Sequence, residues 1–287
     1  MPILVSKDST FINMLRSNLK EHYNSHRRNL DDKIHVSDIL WGSCLRKAYY
    51  ARMIEDYEFT DDDIDNFVRG ESSEHVLVDL ADIGVGQHEL FFEDDLIARP
   101  DLLSVSPSDS NEQQQQQQQQ PKNLIVEFKD TKSFERLTPE NPKFKGYLRQ
   151  LLYYLIISGF DAGVLCIRYA SNRKLQWIKR DEKGDYFFSP LVNNETGENK
   201  LPELETWTVI LEKDSDIREL LKDEIRMRVS MLRAALNSKN PLELPKVAEE
   251  WKCIRCPFLK NCNPLTIEKQ DSKKDILDDG KIIVLSS

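Results

Sequence analysis

The sequence predicts an α/β protein, a central mixed β-sheet flanked by helices, with a helical N-terminal region and a C-terminal cysteine module. Three observations predict it. Helix-period segments and strand-like segments follow one another as helices, a strand meander, a helix and a strand. A chain of 287 residues can bury one large core plus a small appended module. Three of the five cysteines, Cys253, Cys256 and Cys262, cluster in a Cys-x₂-Cys-x₅-Cys pattern near the C-terminus. Such clustering reads as metal ligation rather than disulfides.

Each element has its own signal. Residues 9–28 place Phe11, Met14, Leu15 and Leu19 at helical spacing. Ser37 is a good N-cap, and a second helix is predicted from it through Trp41, Cys44, Arg46 and Tyr50. Asp61, Asp62 and Asp63 predict an acidic loop, and residues 64–83 a third helix. Strands are predicted over 88–93, 96–105 and 124–129. Pro100 cannot donate to a ladder and marks a strand start or a bulge, a feature common beside active sites.

Residues 106–122 are polar, include eight consecutive glutamines, and read as a disordered extension of a hairpin loop. Residues 143–157 carry the stripe Leu148, Leu151, Leu152 and Leu155 and predict a strong helix. A strand follows over 162–169, where Cys166 reads as a buried core thiol. Further strands are predicted within 175–210, and a long amphipathic helix over 215–236. The tail beyond Pro264 is charged, although Ile282, Ile283, Val284 and Leu285 suit an edge strand. The organisation is thus a helical arm (1–36), a core (37–245) with its loop at 106–122, a cysteine module (246–265) closed by Cys44, and a tail (266–287).

Charge and hydropathy bound the function. The net charge of −9 argues against coating nucleic acid over the whole surface, yet allows a local basic channel. Basic clusters occur at Lys143, Lys145 and Arg149, at Arg168, Arg173, Lys174, Lys179 and Arg180, and at Arg226, Arg228 and Arg233. Each alone reads more readily as a solvated face than as a phosphate contact. No run of eighteen apolar residues is present, so no membrane span is expected. The N-terminus lacks a signal-peptide pattern, and the expected location is cytoplasmic.

The chemistry sits on two strands. Glu127 and Lys129 alternate on one face, while Val126 and Phe128 point the other way into a core. A Glu-x-Lys pair on a solvated strand is a surface ion pair worth little. Here the preceding Leu124, Ile125 and Val126 are too apolar for an exposed edge, so Glu127 stands where a buried strand emerges. With Asp101 on a preceding strand, the carboxylates suit Mg²⁺ or Mn²⁺, hard cations that want oxygen ligands. The chemistry implied is phosphodiester hydrolysis.

One ordered set remains: Cys44, Gly70-Glu71-Ser72-Ser73-Glu74-His75, Pro100-Asp101, Glu127-Phe128-Lys129, Gln150 with Tyr154, and the three late cysteines. In this order the chain resembles the PD-(D/E)XK nuclease superfamily. More closely, it resembles the RecB-like exonucleases with an iron–sulfur cluster, including the CRISPR-associated exonucleases of that type and AddB-type nuclease domains. The resemblance spans residues 37–264.

It implies a restriction-endonuclease-like core and a Mg²⁺- or Mn²⁺-dependent deoxyribonuclease, an exonuclease on single-stranded or end-frayed DNA. It makes Asp101, Glu127 and the backbone carbonyl of Phe128 metal ligands. It has Lys129 position the attacking water, with Gln150 and Tyr154 beside the site. The family's first motif carries histidine four residues after the glycine. Glu74 stands there and His75 one place later, and a carboxylate suits Mg²⁺, so Glu74 is favoured over His75.

Four thiolates accept either Zn²⁺ or an iron–sulfur cluster. The resemblance favours a 4Fe–4S cluster on Cys44, Cys253, Cys256 and Cys262. It also implies a setting in CRISPR adaptation or in recombination and repair, with integration proteins or a helicase as partners. The rival readings are a noncatalytic DNA-binding scaffold of the same fold and a redox sensor built on the cysteines.

Overall fold

A computed structural model of the chain describes residues 9–30, 32–81, 85–86, 88–93, 95–105, 123–133, 135–170, 176–180, 182–184, 186–190, 204–245, 253 and 256–262. The elements in order are α1 (Ser9–Ser25), β1 (Ile34–His35), α2 (Val36–Ile39), α3 (Leu45–Met53), α4 (Asp61–Ala81), β2 (Val85–Gly86), β3 (Leu90–Phe92), β4 (Leu96–Ala98), β5 (Leu102–Val105), β6 (Asn123–Thr131), α5 (Pro142–Ser158), β7 (Ala162–Tyr169), β8 (Gln176–Arg180), β9 (Tyr186–Pro190), β10 (Leu204–Ile210), α6 (Asp216–Ser238), a 3₁₀ turn (Pro241–Glu243) and α7 (Leu259–Cys262).

The mixed sheet runs β10-β7-β6-β5-β2. Within this sheet β6 and β7 pair in parallel, with Glu127 opposite Leu165 and Asp130 opposite Arg168, and its other described pairs are antiparallel. A second sheet, β1-β4-β3, shares the same hydrophobic core, and β8 and β9 form a hairpin. The helix α5 crosses from β6 to β7, as a parallel pair requires.

The sequence explains the positioning of α5. Asn141 caps its start by accepting from Lys143 N at 2.8 Å, and Pro142 fills the first turn, where no donor is needed. Gly159, at φ 74°, ends it in the left-handed conformation that glycine adopts most easily. Its stripe of Leu148, Leu151, Leu152 and Leu155 is buried against β6, β7 and α6. Gly163 lets α5 approach: a Cβ there would stand 2.8 Å from Leu151 Cδ1. The other sheet face packs Val126, Leu102 and Cys166 with Val78 of α4. Cys166 is the buried core thiol expected, and burial pushes it up to about 11.

Several expectations are corrected. The helix expected from Ser37 through Tyr50 is two, α2 and α3, separated by a turn in which Gly42 takes φ 80°. His35, not Ser37, is the N-cap, with Asp38 reaching back to its backbone N–H at 2.9 Å. The expected acidic loop is the first turn of α4. Thr60 and Asp63 exchange side-chain to backbone bonds at 3.1 and 3.2 Å, and the three aspartates offset the positive end of the helix dipole.

The strand expected over 96–105 breaks at Arg99–Asp101 into β4 and β5, which join different sheets. The α1 stripe is less buried than its spacing suggests, with Met14 and Leu15 exposed. Its packing on α4 is aromatic and polar, through Tyr23 against Phe67 and Tyr23 Oη to Glu71 at 2.6 Å. The glutamine loop at 106–122 and the tail beyond Pro264, with its suggested edge strand, lie outside the described residues. No described helix is long and apolar enough to cross a membrane.

Candidate active site

The break between β4 and β5 creates the site. Because β5 begins at Leu102, its pairing with β6 stops at Val126, and residues 127–131 of β6 pair with β7 alone. On the open side, Asp101 substitutes for the missing strand: its Oδ2 accepts from Phe128 N at 2.7 Å. A strand residue directs its N–H and C=O to the same edge, so the Phe128 carbonyl faces this opening too. A cleft of about 220 Å³ lies there, walled by α4 through Asn66, Arg69, Gly70, Ser73, Glu74 and Leu77, and by Asp101, Phe128, Lys129, Asp130 and Arg168.

Glu127 has no exposed surface, and Lys129 sits on its Oε1. The other oxygen, Oε2, is buried and meets no other side chain or backbone donor, and the Asp101 carboxyl lies within hydrogen-bond reach of Glu127. Asp101 is half-buried beside it. Burial first, then the charge of Glu127, raise the Asp101 carboxyl well above its usual range, and Glu74 adds to both carboxyls. Burial also raises Glu127, against the pull of Lys129. Desolvation lowers Lys129, but Glu127 and Asp101 outweigh it and hold it as an ammonium. Like-charged carboxylates crowded in a dry site each oppose the other's ionisation.

The structure brings Glu74, Asp101, Glu127, Phe128 and Lys129 to one place. Tyr154 is buried next to them, and its phenol is raised by burial and then by the charge of Glu127. Gln150 Nε2 donates to Tyr154 Oη at 2.9 Å, which leaves the phenol proton free to point elsewhere. His75 is exposed on α4 and is not among the residues lining the cleft.

Several residues here were not expected at the site. Lys143 and Tyr147 extend the α5 stripe of the expected Gln150 and Tyr154; Lys143 Nζ donates to Thr131 Oγ1 at 2.7 Å, and Lys129 Nζ lies 5.8 Å from the Tyr147 ring centre. Arg69, Ser73, Asp130 and Arg168 meet at the cleft wall. The α4 stripe Asn66, Arg69, Gly70, Ser73, Glu74 and Leu77, at spacings of three and four, is the signal that could have found the first two. The other basic clusters do different work. Arg149 is buried against Glu224 at 3.1 Å, and Arg228 donates to the carbonyls of Ile39, Leu40 and Ser43. Arg226 and Arg233 pair with Glu93 and Asp95. Arg173 and Lys174 lie outside the described residues.

Metal fit can be judged from the donors present. Among the described residues, no three His, Cys, Asp or Glu side chains form a ready-made cage. The oxygen donors of Glu127, Asp101 and Glu74 nonetheless lie close enough to influence one another and are the hard set that Mg²⁺ and Mn²⁺ prefer.

Cys44, Cys253 and Cys256 lie near one another at the N-terminal end of α3, although among the described residues no three of the cysteines form a ready-made metal site. Cys44 is the α3 N-cap and is presented by the turn whose carbonyls Arg228 holds. The C-terminal segment docks beside it: Phe258 is buried against Tyr57 and Tyr50, Tyr50 Oη donates to Asn261 O at 2.9 Å, and Arg46 Nη1 lies 3.9 Å from Cys262 Sγ. Burial raises the Cys256 thiol, and Cys44 and Cys253 add to that effect. All four cysteines are half-buried thiols.

No protein-family model matches the chain, and no curated protein is similar to it at a significant level. Solved structures do match. SSO0001 superposes with a TM-score of 0.50 at 14% identity, covering 91% of this chain and 98% of that one. The alkaline exonuclease LHK-Exo from Laribacter hongkongensis matches with a TM-score of 0.39 at 13% identity, covering 76% and 93%. A phage-related exonuclease from Haemophilus somnus 129PT matches with a TM-score of 0.38 at 12% identity, covering 68% and 80%. At these identities the first likeness speaks to fold alone, and the two exonucleases are too distant to assign a role to any residue.

Proposed function

We propose that the chain is a divalent-metal-dependent deoxyribonuclease with a restriction-endonuclease-like core, acting at single-stranded or frayed DNA ends. The observation that carries this reading is Glu127: a carboxylate with no exposed surface, one oxygen on Lys129, at the open end of a strand and within hydrogen-bond reach of a second carboxylate, Asp101. Two carboxylates crowded in a dry site oppose each other's ionisation. A packing role does not require that arrangement.

Mg²⁺ or Mn²⁺ bound there would activate a water and offset the charge that develops on the phosphate oxygens. Asp101, Glu127 and the Phe128 carbonyl would hold it, with Glu74 contributing from α4. Lys129 is kept protonated by the carboxylates, so it acts as a donor that orients the attacking oxygen and steadies negative charge. Gln150 fixes the Tyr154 hydroxyl by donating to it, and Tyr154 in turn can donate toward the carboxylates.

The same reading gives the four cysteines a 4Fe–4S cluster. It would staple the C-terminal segment onto α3, in a protein that processes DNA ends for CRISPR adaptation or for recombination and repair. Docking of Phe258 between Tyr50 and Tyr57 supports the staple. Anaerobically purified protein should be coloured and hold about four irons per chain. Colourless protein with one zinc would replace the cluster and leave the nuclease reading untouched.

Cleavage of end-labelled single- and double-stranded DNA, with and without Mn²⁺, tests the central reading. Mn²⁺-dependent cutting by the wild type and none by Glu127→Ala supports it. DNA binding without cleavage in any divalent cation would favour the noncatalytic scaffold.

A further inference from the structure

Next to the carboxylates, and around the open edge of β6, lies a second constellation. Asp130 follows Lys129 and so turns to the opposite face, toward α4. Its register partner on β7 is Arg168. Arg69 and Ser73 descend from α4 onto the same spot. Arg69 Nε lies 2.8 Å from Asp130 Oδ1, and Arg168 Nη1 lies 3.3 Å from Asp130 Oδ2 and donates to Ser73 Oγ at 2.6 Å.

The exposures are unequal. The Asp130 side chain is 4% exposed, against 30% and 33% for the arginines. One carboxylate is therefore buried behind two guanidiniums that line the cleft. The group carries a surplus positive charge, and Arg69 Nη1 is buried with no hydrogen-bond partner. Two guanidiniums converging on one carboxylate repel each other. An anion arriving from the cleft removes that repulsion. Arginine forks donate paired hydrogen bonds to phosphate oxygens.

We infer that Arg69 and Arg168 form a phosphate clamp, a subsite for a nucleic-acid phosphate adjacent to the one cut at Glu127, with Asp130 as the residue that positions both guanidiniums. The inference rests on the nuclease reading. One cleft is lined by both constellations, so a strand that reaches Lys129 also meets the arginines. The phosphate has two possible sources, a terminal monoester or an internal diester, and the chemistry of recognition is shared.

The test uses the full chain and synthetic oligonucleotides. Single methylphosphonate linkages, which are uncharged, are placed in turn around the cut position, and 5′-phosphate ends are compared with 5′-hydroxyl ends. Wild type should lose about tenfold to a hundredfold in kcat/KM when one particular phosphate is neutralised or removed. Arg69→Gln and Arg168→Gln should lose a similar factor on unmodified DNA and almost nothing further on that modified strand. A loss confined to the 5′-hydroxyl substrate identifies the terminal monoester; a loss confined to one methylphosphonate identifies the diester. Asp130→Asn should lower kcat without raising KM, because the positive charge stays while the alignment goes.

Thermal unfolding of each variant separates this from misfolding, and Arg69→Lys should recover only part of the rate. Equal losses on modified and unmodified strands, or no loss at all, overturn the clamp while leaving the nuclease reading intact. A wild type that cuts nothing, yet binds phosphorylated oligonucleotide through Arg69 and Arg168, overturns the nuclease reading and keeps the clamp.

Discussion

Glu127 and Glu224 are two buried glutamates, each beside a cation and a tyrosine, and the neighbouring residues Tyr153 and Tyr154 of α5 serve one each. Around Glu224, Arg149 meets Oε2 at 3.1 Å and Tyr153 Oη meets Oε1, so both oxygens are paired between α5 and α6. Around Glu127, Oε1 meets Lys129, and the second neighbour is another carboxyl, Asp101, which Glu127 repels unless a proton is shared between them. Burial among donors and a cation reads as a structural bolt. Burial against a like-charged group, at the end of a broken sheet edge, reads as a place prepared for a ligand. The difference lies in the charge of the partners, not in depth.

The largest effect that would sharpen this contrast is on catalysis. Glu127→Ala or Asp101→Ala should cut DNA cleavage by about a thousandfold or more, the several kcal/mol of transition-state charge stabilisation that the metal supplies. Circular dichroism should stay near wild type, while Glu127→Ala, which leaves Lys129 without its carboxylate, should lower the unfolding midpoint without abolishing the cooperative transition. Rates within tenfold of wild type would break the assignment. Next is the bolt. Arg149→Met leaves Glu224 buried without its cation and should cost about 3–5 kcal/mol of stability in urea unfolding. A cost below about 1 kcal/mol would erase the distinction between the two glutamates.

Smaller is the response to pH. The folded-state values of Asp101 and Glu127 are raised, so the folded protein binds protons more tightly than the unfolded chain at these positions. Their contribution to stability is therefore most favourable at low pH. It falls as pH rises from the ordinary carboxylate range of about 4 through the raised folded values. Without divalent cation, the pair Asp101→Asn with Glu127→Gln should flatten that fall, and Mn²⁺ should offset it in the wild type alone. Smallest is the loop: deleting residues 111–120 should leave the unfolding midpoint nearly unchanged, since closure entropy varies slowly with length.

Much of the contrast was legible beforehand, for a physical reason. Strand alternation puts Glu127 and Lys129 on one face, and helical spacing puts Gln150 and Tyr154 on another, so local periods alone join these pairs. Pro100 signalled the break that opens the edge, although not that β4 and β5 would part into separate sheets. What stayed hidden depends on long-range convergence. Arg168 reaches Ser73 across 95 residues, and Arg149 reaches Glu224 across 75. Nothing local to Arg149 or Arg228 marks them as buried partners rather than surface charges. The acidic run at 61–63 was misread because a helix N-terminus and a solvated loop attract the same residues, and only the Thr60–Asp63 exchange separates them.

Direct metal binding tests the account most sharply. Mn²⁺ added to the full chain can be followed by the loss of its free-ion electron paramagnetic resonance signal. The account predicts saturable binding by the wild type and by Glu89→Gln, whose carboxylate is a surface partner of Arg99, with that binding lost in Glu127→Gln and in Asp101→Asn. Wild-type protein that binds no Mn²⁺, or binding that survives both substitutions, would contradict it.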